Sequence, residues 1–117
     1  MINRVLGKLA EMQFEPGKHI VVIGAMGRPL ASPIMDIYGG TMTLVGRDAR
    51  RDSVINNLID ADLIINCSLK DVDDIITPKY IKSTCSILSV FRVGFDIEQF
   101  KDCVYYLGEI NEEPLIV

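Results

Sequence analysis

The chain has 117 residues, 49% of them apolar, which is enough for one domain with a buried core and too apolar for a disordered segment. Its 16 acidic residues outnumber its 12 lysines and arginines, and a net charge of −4 argues against a surface that binds nucleic acid or an anionic membrane. No apolar run approaches the ~20 residues of a membrane-spanning helix and the first residues are too polar for a secretory signal, so we expect a cytoplasmic protein without a membrane partner.

Apolar periodicity and turn residues divide the chain into alternating helices and strands. In chain order we predict a helix within 1–16, a strand at 19–24, a helix within 27–40, a strand at 41–46, a helix at 51–61, a strand at 62–67, a short helix within 71–82, a strand at 84–91, a turn or brief helix at 95–101, a strand at 103–108 and a tail at 109–117. Pro33 lies inside the second helix and predicts a late start or a kink, because an interior proline removes a backbone donor. In the short helix, Thr77 would be the N-cap and Pro78 the first helical residue.

This alternation predicts βαβ units and a parallel sheet. The connections are too long for hairpins and suit right-handed crossovers. We therefore expect one domain over residues 1–117 with an α/β, Rossmann-like, doubly wound fold, in which a mostly parallel five-stranded sheet is the middle of three layers. The tail at 109–117 is acidic and then apolar, which suggests that it packs on a neighbouring chain.

The first loop at the carboxyl edge of this sheet, where such folds bind ligands, is "GAMGRP". Gly24 and Gly27 would let the backbone, including Ala25 and Met26, approach a phosphate group. Amide groups at the helix start would donate to that phosphate, and Arg28 would add positive charge. The alternative is a glycine turn that serves only the packing of the strand against the helix.

The second loop, "GRDARR" (46–51), favours NADP over NAD as the ligand. An arginine after the second strand accommodates the 2′-phosphate of NADP, whereas an acidic residue there selects the free hydroxyl of NAD. Arg47 comes first, followed by Asp48, Arg50 and Arg51, and a guanidinium group suits a phosphate bidentately. A solvated basic helix start is the alternative interpretation.

The third and fourth loops, "NCSLKD" and "FRVGFD", would complete the site. Asn66 and Ser68 offer hydrogen bonds, and Gly94 marks a place where backbone would lie against a ligand, with Arg92 nearby. These loops contain no evident proton-transfer pair or activated nucleophile, so we name no catalytic residue. The acidic "DVDD" segment is explained by the start of the short helix.

The three cysteines, Cys67, Cys85 and Cys103, lie in or beside apolar runs without CxxC spacing. Such placement indicates reduced, buried thiols. We expect no metal site, because no pair has ligand spacing and His19 is the sole histidine.

Two long segments resemble the NAD(P)-binding domain of the bifunctional methylenetetrahydrofolate dehydrogenase/cyclohydrolase family. "GKHIVVIGAMGRPLASPIMDIYGGTMTLVGRD" is similar to its first strand, its "VGRP-A" helix start and its second strand. "DADLIINCSLKDVDDIITPKYIKSTCSILSVFRVGFD" is similar to its "ADI" strand, the helix and turn after that strand, and its "VG" strand end. With "YYLGEIN", the likeness runs from Gly17 to Asn111. It implies a Rossmann-type domain, NADP as cofactor and one-carbon folate chemistry. By position, it implies cofactor-binding roles for Gly24, Gly27, Arg28, Pro29, Arg47 and Cys67.

The chain also departs from that family. The segment between Gly24 and Gly27 is a few residues shorter than the family's loop, Arg92 stands where an aspartate is usual, and the folate-binding half with its catalytic lysine and tyrosine has no counterpart in this sequence. We therefore expect a domain that binds a dinucleotide or another phosphate-bearing small molecule and is not catalytic alone. It would act as a homodimer or with a separate folate-binding chain. The alternative is a module for assembly or nucleotide sensing that has lost cofactor binding.

Overall fold

The computed structural model describes residues 1–46, 49–100 and 102–108, which form helices and strands in alternation. The helices are α1 (Ile2–Glu11), α2 (Ala31–Tyr38) and α3 (Arg51–Ile59), with 3₁₀ helices at Ala25–Leu30 and Ile97–Gln99. The strands are β1 (His19–Ile23), β2 (Thr41–Val45), β3 (Leu63–Asn66), β4 (Ser86–Ser89) and β5 (Val104–Tyr106). The predicted tail at 109–117 lies outside the described residues, as do Arg47 and Asp48. None of the helices in the described part of the chain is long and apolar enough to cross a membrane.

The five strands are all parallel and lie in the order β2-β1-β3-β4-β5. This confirms the predicted α/β, Rossmann-like class and its five-stranded sheet. From β1 the chain moves outward to β2 at one edge and then returns to β3 on the other side of β1. The strand order thus reverses between β1 and β3, and open sheets of this kind bind ligands beyond the carboxyl ends of the strands at such a point.

The central strands β1 and β3 are apolar except for His19 at the start of β1 and Asn66 at the end of β3, because both faces of the sheet are covered. Successive side chains of a strand point to opposite faces, so each strand supplies two cores. One core lies under α1 and α2, and the other lies under α3 and the segment that joins β3 to β4. The strand residues of the first core are Ile20, Val22, Leu63 and Ile65, and those of the second are Val21, Ile23 and Ile64.

The late helix start predicted from Pro33 is confirmed. The six residues Ala25–Leu30 form a 3₁₀ helix that contains Pro29, and α2 begins only at Ala31. Pro33 therefore lies in the first turn of α2, where a backbone N–H has no intrahelical acceptor and its absence costs little.

The short helix predicted within 71–82 is wrong, because the structure has two successive turns there. Thr77 does cap the second turn, since its Oγ1 accepts the Lys79 N–H (3.2 Å). Pro78 explains the break: it has no N–H to donate to the carbonyl of Asp74 four residues before it. That carbonyl instead accepts a hydrogen bond from Arg51 Nη2 (3.3 Å). The connection is an irregular segment whose buried residues, such as Val72 and Ile76, still pack on the sheet.

Asp62, just before β3, joins the beginnings of three strands. Its Oδ2 accepts the His19 N–H (2.8 Å), and its Oδ1 accepts a hydrogen bond from Lys82 Nζ (2.7 Å). Its backbone N–H donates to the His19 carbonyl, and its carbonyl accepts the Ser86 N–H. The His19 N–H first, and then the Lys82 ammonium, hold the pKa of the Asp62 carboxyl below its ordinary value of 3.8.

The substitution Asp62→Asn is expected to lower the free energy of unfolding by about 1–2 kcal/mol at pH 7. A hydrogen bond to a charged group contributes about 1.5–3 kcal/mol, and this one lies low in that range because solvent reaches Lys82. The folded pKa is depressed, so the stabilisation is complete above the ordinary value and is lost as the pH falls through the lowered pKa. Urea unfolding at neutral and acid pH measures both effects.

The control is Asp36→Asn on the exposed face of α2, which we expect to change stability by less than ~0.5 kcal/mol. Equal losses from the two substitutions, or a loss at Asp62 that does not shrink in acid, would contradict the role assigned to this carboxylate.

Candidate functional site

A cleft with a volume of about 470 Å³ lies at the carboxyl ends of β1, β2 and β3. It occupies the point where the strand order reverses, and its volume falls within the ~300–1,000 Å³ of small-molecule sites. Three segments form its walls: the start of the first 3₁₀ helix, the end of β2 with the start of α3, and the segment after β3. Its lining residues lie within 23–26, 45–54 and 67–75.

The two glycines of the first loop are required by close packing against the end of β3. Gly24 has a φ of 101°, and a Cβ added to it would lie 2.8 Å from both the backbone carbon and the oxygen of Cys67. A Cβ added to Gly27 would overlap Val22 and lie 2.9 Å from Cys67 Sγ. The packing interpretation that the sequence left open therefore accounts for both glycines, whether or not a ligand binds beside them.

The same loop also presents backbone to the cleft. Ala25 and Met26 are exposed and line it. The Gly24 N–H donates to the Val45 carbonyl (2.9 Å), and the Gly27 N–H donates to the Gly24 carbonyl (3.0 Å). The N–H groups of Ala25 and Met26 are the first two of the 3₁₀ helix, and N–H groups at a helix start have no acceptor within the helix. They are the donors that this loop has for a ligand.

The predicted arginines occupy different positions relative to the cleft. Arg28 is exposed and its guanidinium lies beside Gly46, outside the cleft lining. Arg50 is the exposed residue before α3 and does not line the cleft, whereas Arg51, one residue later, does. Arg47 and Asp48 lie outside the described residues, so their cofactor-binding roles stay predictions from the sequence.

Arg51 spans the mouth of the cleft. Its Nη1 lies 3.7 Å from Asp74 Oδ2, and its Nη2 donates to the Asp74 carbonyl (3.3 Å). The pair joins α3 to the segment after β3. The two side chains are 57% and 60% exposed, and ion pairs so open to solvent contribute at most ~1 kcal/mol. Asp74 is a cleft residue that was not predicted from the sequence, which assigns it to the acidic start of the short helix expected within 71–82.

Asn66 and Cys67 lie at the end of β3, and the predicted buried, reduced state of Cys67 is confirmed. Asn66 is fully buried, and its Nδ2 donates to Ser89 Oγ (3.3 Å) and to the Val93 carbonyl (3.0 Å). Its Oδ1 accepts the Ser68 N–H (3.1 Å), so its side chain is used within the protein. Burial raises the pKa of the Cys67 thiol to about 12, so the thiol is protonated at neutral pH and is inert as a nucleophile.

The fourth predicted loop lies behind the cleft rather than in its wall. The Gly94 carbonyl accepts the Val72 N–H (2.8 Å), and neither Gly94 nor Arg92 lines the cleft. Arg92 donates to the Leu69 carbonyl (3.2 Å) and forms an ion pair with Asp71 (2.6 Å). The loops after β3 and β4 thus bind to each other.

The described residues include no group of three or more His, Cys, Asp or Glu side chains that could hold a metal ion. The charged residues that the structure describes in the cleft lining are two cations and two carboxylates. They are Arg51, Lys70, Asp71 and Asp74.

No protein-family model and no curated protein sequence matches the chain. Among solved structures, it is similar to a 5,10-methylenetetrahydrofolate dehydrogenase from the silkworm, Bombyx mori, with a TM-score of 0.76 and 21% identity over 91% of this chain. It is also similar to the bifunctional enzyme FolD, a methylenetetrahydrofolate dehydrogenase/cyclohydrolase from Campylobacter jejuni, with a TM-score of 0.67 and 22% identity over 87% of this chain. A third similar structure is CapF, with a TM-score of 0.55 and 20% identity over 75% of this chain.

The chain spans 43%, 39% and 30% of the length of those three proteins. At these identities the likeness establishes the fold and nothing finer. The sequence suggests a resemblance to dehydrogenase/cyclohydrolase domains, and the solved structures confirm that resemblance for the fold alone.

If packing requires the two glycines, alanine at either position should destabilise the protein in the absence of any nucleotide. For Gly27→Ala we expect a loss of about 1–3 kcal/mol, because overpacking forces Val22 and Cys67 to move. Gly24→Ala should cost more, since the obstacle is backbone and φ is positive there. Thermal and urea unfolding measure both losses.

Gly7→Ala is the matched control, because nothing lies within 4 Å of a Cβ at this position on α1. Alanine is the better helix former, so this variant should gain up to ~1 kcal/mol. A Gly27→Ala protein as stable as the parent would contradict the packing role.

Proposed function

We propose that this chain is an NADP-binding domain that works with a separate folate-binding chain and is not catalytic alone. The family that its sequence resembles implies NADP and one-carbon folate chemistry. The fold shared with a methylenetetrahydrofolate dehydrogenase and with a bifunctional dehydrogenase/cyclohydrolase supports the same proposal.

The observation that carries the proposal is the position of the cleft. It opens at the carboxyl ends of β1–β3, where the strand order reverses and where doubly wound sheets bind nucleotides. Its walls are apolar near the sheet, with Val45 and Val54 on one side and Val72 and Ile75 on the other. The planar adenine base of a nucleotide would fit between these apolar walls, and its ribose phosphates would lie toward the charged rim of the cleft.

Two of the charged groups in the described lining are cations that can bind the 2′-phosphate of NADP, and the other two are the carboxylates of Asp71 and Asp74. Arg51 lines the cleft, and Lys70 lies in its wall. Arg47, just after the sequence of β2, is the residue that the sequence assigns to the 2′-phosphate. The guanidinium groups of arginines bind phosphate with two parallel hydrogen bonds.

The described cleft lining has no histidine, and burial raises the pKa of the Cys67 thiol to about 12, so the thiol is protonated at neutral pH. NADP, when bound, supplies a hydride acceptor at its nicotinamide ring. A dehydrogenase reaction would therefore take its folate-binding and proton-transferring groups from another chain.

A non-catalytic module for assembly is the second candidate, and the glycine packing favours it because those contacts need no ligand. The edge strand β2 carries neither charge nor proline, and Leu44 on it is 43% exposed. An edge of this kind pairs readily with another chain. A nucleotide sensor without catalysis is a further variant of this candidate.

NADP and NADPH are expected to raise the melting temperature of the chain. Ligand at 100 times its Kd adds about 2.7 kcal/mol to the free energy of unfolding, which is visible in a thermal-shift titration. A stable dimer in sedimentation velocity, with no shift from NADP, NAD or adenine nucleotides, would refute nucleotide binding and favour assembly.

The substitution Arg47→Ala is expected to weaken NADP binding by roughly 10–100-fold, which corresponds to about 1.5–3 kcal/mol for a charged hydrogen bond. Its affinity for NAD, which lacks the 2′-phosphate, should hardly change and is the control. Calorimetric titration measures both affinities. An equal loss for the two nucleotides would contradict a 2′-phosphate role for Arg47.

A further inference from the structure

We infer that Asp74 sets the preference of the cleft between NADP and NAD, because it competes with the 2′-phosphate of NADP for the guanidinium group of Arg51. The role assigned to Asp74 rests on the proposed function and deepens it by naming a residue that determines nucleotide specificity. Asp74 acts against the arginines: it lowers the affinity for the extra phosphate that they provide.

Both terminal nitrogens of Arg51 are engaged by this one residue. Nη1 lies 3.7 Å from Asp74 Oδ2, and Nη2 donates to the Asp74 carbonyl oxygen (3.3 Å). A guanidinium group binds phosphate most strongly through two parallel N–H donors. A phosphate that takes both donors of Arg51 must therefore displace the carboxylate and the carbonyl of Asp74 from them.

The backbone of Asp74 is fixed at the mouth of the cleft by a closed turn. The Val72 carbonyl accepts the N–H groups of Ile75 (3.1 Å) and Ile76 (2.8 Å), so two hydrogen bonds close the turn that contains Asp74. Val72 and Ile76, on either side of Asp74, are buried in the core beneath α3. The carboxylate is therefore a tethered competitor that stays within reach of Arg51 when a phosphate enters.

Arg51 stands on an equally anchored element. It is the first residue of α3, and the buried Val54 and Leu58 of that helix pack in the same core as Val72. The positions of the two partners on opposite walls are thus set by one hydrophobic core. The ion pair is a built feature of the cleft and does not depend on a long side chain reaching over from a loose loop.

The other carboxylate in the described lining, Asp71, has a different partner. Its Oδ1 accepts a hydrogen bond from Arg92 Nη2 (2.6 Å), and Arg92 does not line the cleft. Among the cleft residues that the structure describes, Asp74 is therefore the carboxylate that competes with a phosphate for Arg51.

The competition affects NADP more than NAD. NAD has a hydroxyl group in place of the 2′-phosphate and needs no guanidinium group at that position. The effect is also limited in size, because the Arg51 and Asp74 side chains are 57% and 60% exposed and solvent screens their attraction. Removal of the competitor should therefore change the affinity for NADP several-fold rather than by orders of magnitude.

The substitutions Asp74→Asn and Asp73→Asn are matched, since each removes one negative charge from neighbouring exposed residues and Asp73 does not line the cleft. We expect Asp74→Asn to strengthen NADP binding by about three- to fivefold, as the loss of an exposed ion pair allows, and to change NAD binding by less than about twofold. Asp73→Asn should change both affinities by less than about twofold. Calorimetric titration measures them. An equal gain for the two nucleotides, or from the two variants, would overturn the role of Asp74 and leave the proposed function standing.

Arg51→Gln supplies the background that identifies the mechanism. Without the guanidinium group there is nothing to compete for, so Asp74→Asn should then improve NADP binding by less than about twofold, and the two substitutions should not be additive. A gain of full size in this background would contradict competition for Arg51. Failure of NADP to bind to both the parent and Asp74→Asn would overturn the role of Asp74 and the proposed function together.

Discussion

The close approach of the loop after β1 to the end of β3 is the contact on which the rest of the molecule depends. Gly24 lies against the Cys67 backbone and Gly27 against its side chain, with no room for a Cβ at either position. This close approach places the 3₁₀ helix over the sheet, and α2, which follows it directly, packs on β1 and β3 through Ile34. It also forms the floor of the cleft between β1 and β3. Glycines that resemble a phosphate-binding motif thus have a structural role first.

Most of the fold could be predicted because its signals are local. Continuous apolar runs mark strands covered on both faces, and Pro33 marks a helix that starts late. The failure at 71–82 has a local cause, Pro78, and a nonlocal one, the contacts of two distant arginines. The spacing of Val72, Ile75 and Ile76 fits a helix, but Pro78 removes a donor, and contacts from Arg51 and Arg92 hold the segment in another shape. Those arginines are about 20 residues away on either side, so local sequence does not reveal the contacts.

The sequence predicts three of the loops that form the candidate site, after β1, β2 and β3, but not which of their charged side chains line the cleft. Gly24, Ala25, Met26 and Cys67 do line or floor the cleft, because the ends of parallel strands meet at one edge. Arg50 and Arg51 show the limit: Arg50 is the extended N-cap residue of α3 and does not line the cleft, whereas Arg51, the first residue of the helix, does. Asp74, which the sequence assigns to the start of the expected short helix, lines the cleft.

The segment at 67–75 is held differently on its two sides. On the side of β4, the buried Asn66 accepts the Ser68 N–H, Arg92 donates to the Leu69 carbonyl and the Val72 N–H donates to the Gly94 carbonyl. On the side of α3 it is held by the exposed Arg51–Asp74 pair, which a competing anion replaces readily. A ligand can therefore adjust one wall of the cleft without opening the other.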